Sequence, residues 1–219
     1  LTFQFTLFFE ICAKMEEREF DYADFVSEER IVPEEKLGKY NLPFILFPAV
    51  LPFLYIINYG TQEFMAGIDA FFTVQNLFLI FAAGFVVHEL IHFLSWQAFS
   101  GMPIQEFRLG MRWNQFTPVI GCQRPMRPLA FRIGLLAPFV IMGVLPMALA
   151  FYLPNAWLLC AAVVYMAWAS ADILTFILFW SAPRGCFVEM HRSALGCIVY
   201  NPKPVPDAET DAVLTSGKF

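Results

Sequence analysis

The sequence predicts an all-α polytopic membrane protein of about four transmembrane helices, carrying small cytoplasmic β-hairpins. Three observations predict it. Of the 219 residues, 58% are hydrophobic and 15% charged, against about 25% charged in an ordinary soluble domain. The apolar residues come in long uncharged runs, at 40–62, 70–87 and 133–171, and about 20 apolar residues suffice to span a bilayer. The basic residues fall between these runs in an alternating pattern that assigns each loop to a side.

Residues 1–11 alternate, with Leu1, Phe3, Phe5, Leu7, Phe9 and Ile11 on one side, which reads as a strand or an interfacial segment. No basic segment precedes this run and Glu10 interrupts it, so it is a poor signal peptide. Residues 15–39 are charged and mostly acidic. They are expected to be solvated, with a short helix near Val32-Pro33-Glu34-Glu35, where proline suits a first turn. A first span covers 40–62, and Pro43, Pro48 and Pro52 predict that it is kinked or partly broken. Residues 61–69 are expected to be a short connection. A second span runs from about Ala70 to Phe99, with Gly101 as its stop. At 1.5 Å per residue it is roughly 45 Å long, so it tilts or protrudes from a ~30 Å hydrocarbon core.

Phe107 to Trp113 alternates with period two, Asn114-Gln115 supplies a turn, and 116–122 returns as a second strand, which is a β-hairpin. Leu153-Pro154-Asn155 divides the last apolar run into spans at about 131–153 and 156–181. Residues 186–190 and 196–200 read as a second hairpin. The tail from Asn201, with Pro202, Pro204 and Pro206, is expected to be disordered.

Five Lys/Arg precede the first span and five lie in 101–132, while both outer turns have none. The positive-inside rule then places both termini and the long loop in the cytoplasm of a multi-pass cell-membrane protein. The chain divides into a cytoplasmic N-terminal segment (1–40), a four-span membrane domain (41–182) with its hairpin loop at 101–131, and a cytoplasmic hairpin and tail (183–219). Cys12, Cys122, Cys160, Cys186 and Cys197 have no metal-ligand spacing. This topology puts four of them where thiols stay reduced. A net charge of −5 without a basic patch argues against nucleic acid as a partner. The expected partners are the lipid bilayer and a membrane-anchored peptide or protein.

The candidate site is His88-Glu89-Leu90-Ile91-His92 in the second span. His88 and His92 share a helix face, so two imidazoles can hold one metal ion while Glu89 carries protons beside it. Spans two and four run in the same direction. His88 and Asp172 each lie about 25 Å from the outer face at 1.5 Å per residue. Glu89 and Asp172 are the carboxylates well inside the spans, and charged groups there are costly and functional or paired. Two neutral imidazoles and one carboxylate fit zinc with a fourth position for water, leaving Glu89 to take a proton from that water and return it to a leaving amine. Asp172 has a competing reading as the partner of Arg132, and Glu189 and His191, just past span four, are rival third ligands. Asn114 and Asn76 are candidate oxyanion donors.

Four spans with this motif in the second resemble the zincin peptidase family of multi-pass membrane proteins, a domain of unknown function. Gly121-Cys122-Gln123-Arg124-Pro125, Ala137-Pro138, Ala169-Ser170-Ala171-Asp172, Pro183-Arg184-Gly185 and Val199-Tyr200-Asn201-Pro202 extend the resemblance over roughly 80–202. The family is similar in plan to site-2 proteases. That resemblance implies zinc ligands His88, His92 and Asp172 and a catalytic base at Glu89. The chain departs from the site-2 pattern in having Ile173, where those enzymes usually have glycine after the ligand aspartate. The expected function is a zinc-dependent membrane metalloprotease acting on membrane-associated substrates near the cytoplasmic face, with the 105–122 hairpin receiving substrate by strand addition. The alternative is a non-catalytic metal-binding sensor or interaction subunit.

Overall fold

The computed structural model describes residues 20–112, 117–183 and 185–203. The alternating segment at 1–11, Cys12, the turn residue Asn114 and the tail from 204 lie outside them. Six helical segments carry the architecture: α1 (Glu34–Tyr59), α2 (Thr61–Phe71), α3 (Val74–Ser100), α4 (Pro128–Tyr152), α5 (Ala156–Trp168) and α6 (Ser170–Phe179). Three of them, α1, α3 and α4, are long and apolar enough to cross a membrane, and α5 with α6 makes a fourth if the bent pair counts as one span.

Proline shapes α1 as its spacing predicts. The helix narrows to a 3₁₀ turn at Phe47–Val50 and resumes at Leu51, because a proline N–H cannot continue the ladder. Its start differs from the expectation, since the short helix at Glu34 runs without interruption into the apolar stretch. The acidic side chains Glu34 and Glu35 in the first turn suit the positive end of a helix dipole. The connection expected at 61–69 is the helix α2. Gly60, at φ 90°, turns the chain into it, a conformation that costs glycine little. Gly67 lets α2 lie directly on Ala156 and Trp157 at the start of α5, where a Cβ would collide. Span two accordingly begins at Val74, capped by the Thr73 hydroxyl, which accepts from the Asn76 N–H at 3.3 Å. It ends at Gly101 in the left-handed region.

The expected fourth span is bent by 42° between α5 and α6. Further π-helical turns interrupt α3 at Leu79–Ala83 and α4 at Phe139–Val144. In α3 the Tyr165 hydroxyl of α5 donates to the Ile80 carbonyl at 3.1 Å, and Gly84 leaves room for the Tyr165 ring.

All five strands attach to the same ends of these helices. Both expected hairpins are present, as β2 (Phe107–Arg112) with β3 (Thr117–Cys122) and as β4 (Phe187–Met190) with β5 (Gly196–Pro202). Asn201 and Pro202 belong to β5 rather than to a tail. The segment read as solvated contributes β1 (Phe25–Ile31), which pairs antiparallel with β5 to give the order β1-β5-β4. Charged side chains on such an edge are normal, because they block further strand pairing. A core of Trp96, Met126, Phe131, Leu135, Phe179 and Val188 joins the ends of α3, α4 and α6 to the second hairpin. At the opposite end Tyr55, Met147, Leu159 and Met166 form a separate core.

The cysteines among the described residues are unpaired with one another. Cys197 in β5 is fully buried, and burial pushes its thiol up to about 12; burial also raises the Cys186 thiol. Both thiols therefore stay protonated at pH 8, and the thiolate is the nucleophile. A maleimide added to the native protein at pH 8 is expected to leave both unlabelled and to modify them after denaturation, as read by peptide mass spectrometry.

Candidate metal centre

The helical period places His88 and His92 one turn apart on the face of α3 that packs inward, and both imidazoles are buried. Asp172 arrives from α6. The bend at Ala169 starts a new helix, in which the N–H groups of Asp172 and Ile173 both find the Ala169 carbonyl at 3.1 Å. Asp172 thus sits in a first helical turn, where a carboxylate is favoured by the helix dipole. His88 lies 14 residues into α3 and Asp172 16 residues past Ala156, so the two reach one level.

The donor atoms converge. His88 Nε2 lies 3.1 Å from Asp172 Oδ2 and 3.2 Å from His92 Nε2, and His92 Nε2 lies 3.4 Å from Asp172 Oδ2. His92 Nδ1 is 2.9 Å from the Gly134 carbonyl of α4. A carbonyl only accepts, so Nδ1 carries the proton and Nε2 presents its lone pair to the cluster. Three acceptor atoms facing one another need a shared cation. Zinc bonds of 2.0–2.1 Å in a tetrahedron set ligand atoms about 3.3 Å apart, which the three observed separations match. The residues present therefore fit a zinc ion, with one tetrahedral position unfilled by these three.

The surroundings hold the imidazoles in place. Trp96 stacks on His92 with ring centroids 5.0 Å apart, and Trp168 lies over His88 at 6.4 Å. Gly134 permits this, since a Cβ there would strike the Trp96 indole. His88 Nδ1 is buried with no hydrogen-bond partner among the described residues. Glu89 is half-buried beside the cluster and outside it, and its Oε2 accepts from the Ile120 N–H of β3 at 2.9 Å.

Of the residues singled out in the sequence, His88, His92 and Asp172 come together and Glu89 flanks them. Arg132 does not meet Asp172; it donates to the Trp180 carbonyl at 3.2 Å and lies over the Phe179 ring. Glu189 accepts from the Tyr200 hydroxyl at 2.9 Å, and His191 Nδ1 accepts from the Ala194 N–H at 2.9 Å. Both belong to the second hairpin, away from the cluster. Cys122 contacts the Met102 sulfur, and Asn76 donates to the Ala70 carbonyl at 2.7 Å. Ile120, Gly134 and Trp96 went unremarked in the sequence. The first two act through main-chain atoms that no side-chain motif reports, while Trp96 was legible in principle, four residues after His92 on the same face.

Residues 81–187 match the sequence model of a family described as "Putative zincin peptidase". That segment contains the motif, the first hairpin and Asp172, and the family's description points to a metallopeptidase and to zinc. Comparison with curated proteins and with solved structures gives no significant match.

Close contact of α3 and α4 at Gly134 is testable by itself. Gly134→Ala is expected to destabilise the protein by about 1–3 kcal/mol, the usual cost of overpacking, seen as a lower thermal unfolding midpoint. An unchanged midpoint would mean that the Trp96 ring yields without cost.

Proposed function

We propose that the chain is a zinc-dependent membrane metalloprotease that hydrolyses peptide bonds of membrane-associated substrates near the cytoplasmic face. The observation that carries this reading is the triangle of His88, His92 and Asp172 donor atoms with a carboxylate, Glu89, beside it and outside it. His88, His92 and Asp172 would hold the ion. When bound, zinc supplies Lewis-acid polarisation of a substrate carbonyl and acidifies a water molecule.

Glu89 is the general base. It takes a proton from the attacking water and returns it to the leaving amine nitrogen. Its position one residue after His88 puts it on a flank of the cluster rather than in it, which suits proton transfer and not ligation. The Gly134 carbonyl fixes the His92 tautomer, and Trp96 and Trp168 restrict both rings. Only three described side chains offer donors. A structural zinc site normally closes all four positions with protein, so the arrangement favours catalysis over a purely structural or sensing role.

Membrane embedding is supported by the helix surfaces. Phe53, Ile57, Val74, Phe78, Val86 and Leu145 are all more than half exposed, and such apolar faces call for lipid around them. The Lys/Arg distribution places the strand-bearing ends and both termini in the cytoplasm. The substrate is a membrane-anchored segment, locally unwound to expose its main chain.

Glu89→Gln is expected to retain zinc, by elemental analysis of purified protein, while cleavage of a reconstituted membrane-anchored substrate falls by at least 100-fold, as the loss of a general base predicts. Retained cleavage in that variant would sink the mechanism. His88→Ala and Asp172→Ala are each expected to lose the metal; a full equivalent of zinc in either would remove that residue from the ligand set.

A further inference from the structure

We propose that the main-chain N–H of Ile120 is a shared donor, which holds Glu89 at rest and passes to a carbonyl of an extended substrate segment pairing with the outer edge of β3. This inference rests on the peptidase reading above and adds what the site recognises and how the base is released.

Among the described strands β3 pairs only with β2, so one edge carries no strand. In an antiparallel ladder the backbone groups of successive residues point alternately toward and away from the partner. The Ile120 N–H reaches Glu89 Oε2 at 2.9 Å, which fixes Ile120 as directed away from β2. Pro118 and Cys122 share that direction by the same alternation. Proline has no N–H, so Ile120 and Cys122 carry the outward donors of this edge. The carboxylate oxygen of Glu89 therefore stands where the carbonyl of an added strand would accept its hydrogen bond.

The edge also lies at the metal centre. Glu89 is adjacent to His88 in sequence, and paired strands run 4.7–4.9 Å apart. A segment added to β3 thus passes within about one strand spacing of Glu89, beside the His88–His92–Asp172 cluster. Its carbonyl and the Glu89 carboxylate compete for one N–H. Docking displaces the carboxylate and frees it for proton transfer. A helical segment has already committed its carbonyls to its own ladder, so it cannot make the exchange until it unwinds. The site accordingly selects extended main chain and keeps its base occupied in the absence of substrate.

The test is a double-mutant cycle on peptide binding with the purified full-length protein. The probe is a capped, fluorescein-labelled peptide of alternating valine and threonine, with a control carrying proline at alternate positions. Fluorescence anisotropy is recorded before turnover. Glu89→Ala is expected to tighten binding of the valine–threonine peptide about fivefold, the size of one net hydrogen bond. Ile120→Pro is expected to weaken it, and in the Ile120→Pro background Glu89→Ala is expected to have no effect. The control peptide is expected to bind none of the four proteins. The proposal is overturned if Glu89→Ala leaves binding unchanged, if it tightens binding equally in the Ile120→Pro background, or if the valine–threonine peptide does not bind.

Amide hydrogen exchange in ¹⁵N-isoleucine-labelled protein gives a second reading that needs no change at Ile120. The Ile120 amide should exchange at least tenfold faster in Glu89→Ala and regain protection when the peptide is added. Failure to regain protection also overturns the proposal. Neither measurement requires cleavage, so these failures are distinct from a loss of the peptidase reading, which would appear as absent zinc or absent turnover in the unmodified protein.

Discussion

Two imidazole nitrogens and a carboxylate oxygen sit within 3.4 Å of one another among helices whose other residues are nearly all apolar. Such a cluster is expensive, because polar groups removed from water must be satisfied by one another, by the backbone or by a metal. The protein meets that demand group by group. His92 Nδ1 is matched to the Gly134 carbonyl, Glu89 to the Ile120 N–H, and the remaining three atoms face one point. Much of the surrounding packing is arranged to keep these pairings. Gly134 admits the Trp96 ring, Trp96 lies flat on His92, and Phe131 and Leu135 pack behind them in the same core.

The use of main-chain partners has a physical logic. A second titratable or amide side chain near the cluster would bring further polar atoms to satisfy in apolar surroundings. A carbonyl inside a helix still has a second lone pair available, so Gly134 can orient His92 without leaving any new group unmatched. An outward N–H on a hairpin edge is likewise a donor that exists whether or not it is used. The first hairpin thus serves the site by its backbone, which explains how a strand interrupted at Pro118 can still serve it.

The same logic explains what the sequence revealed and what it hid. His88 and His92 were legible because the helical period is local. Asp172 was legible because long uncharged runs on either side leave a lone acid conspicuous. Ile120 and Gly134 were not, since main-chain roles leave no residue signature. β1 was hidden by Glu28, Glu29 and Arg30, which suit an edge strand yet resemble a solvated segment, and its partner β5 lies some 170 residues further along the chain. α2 was mistaken for a connection because Glu63, Gly67 and Asp69 weaken its apolar pattern. The bend at Ala169 has neither proline nor glycine to announce it, and it follows from tertiary packing alone.

That bend makes the third donor conditional in a way the histidines are not. His88 and His92 are fixed relative to each other by one helix, whereas Asp172 depends on where α6 is held. The bracing comes from the strand that was least visible. Arg30 of β1 donates to the Leu178 carbonyl at 3.3 Å and contacts the Ser181 hydroxyl at 3.2 Å. Val32 N–H donates to the Leu195 carbonyl at 2.9 Å, and both side chains pack on Leu174, two residues from Asp172. The segment at 25–32 therefore clamps α6 along one side while the second hairpin closes its end. A region outside the apolar helices thus sets the position of a carboxylate within them, and the geometry of the centre depends on a pairing between β1 and β5, strands from opposite ends of the described chain.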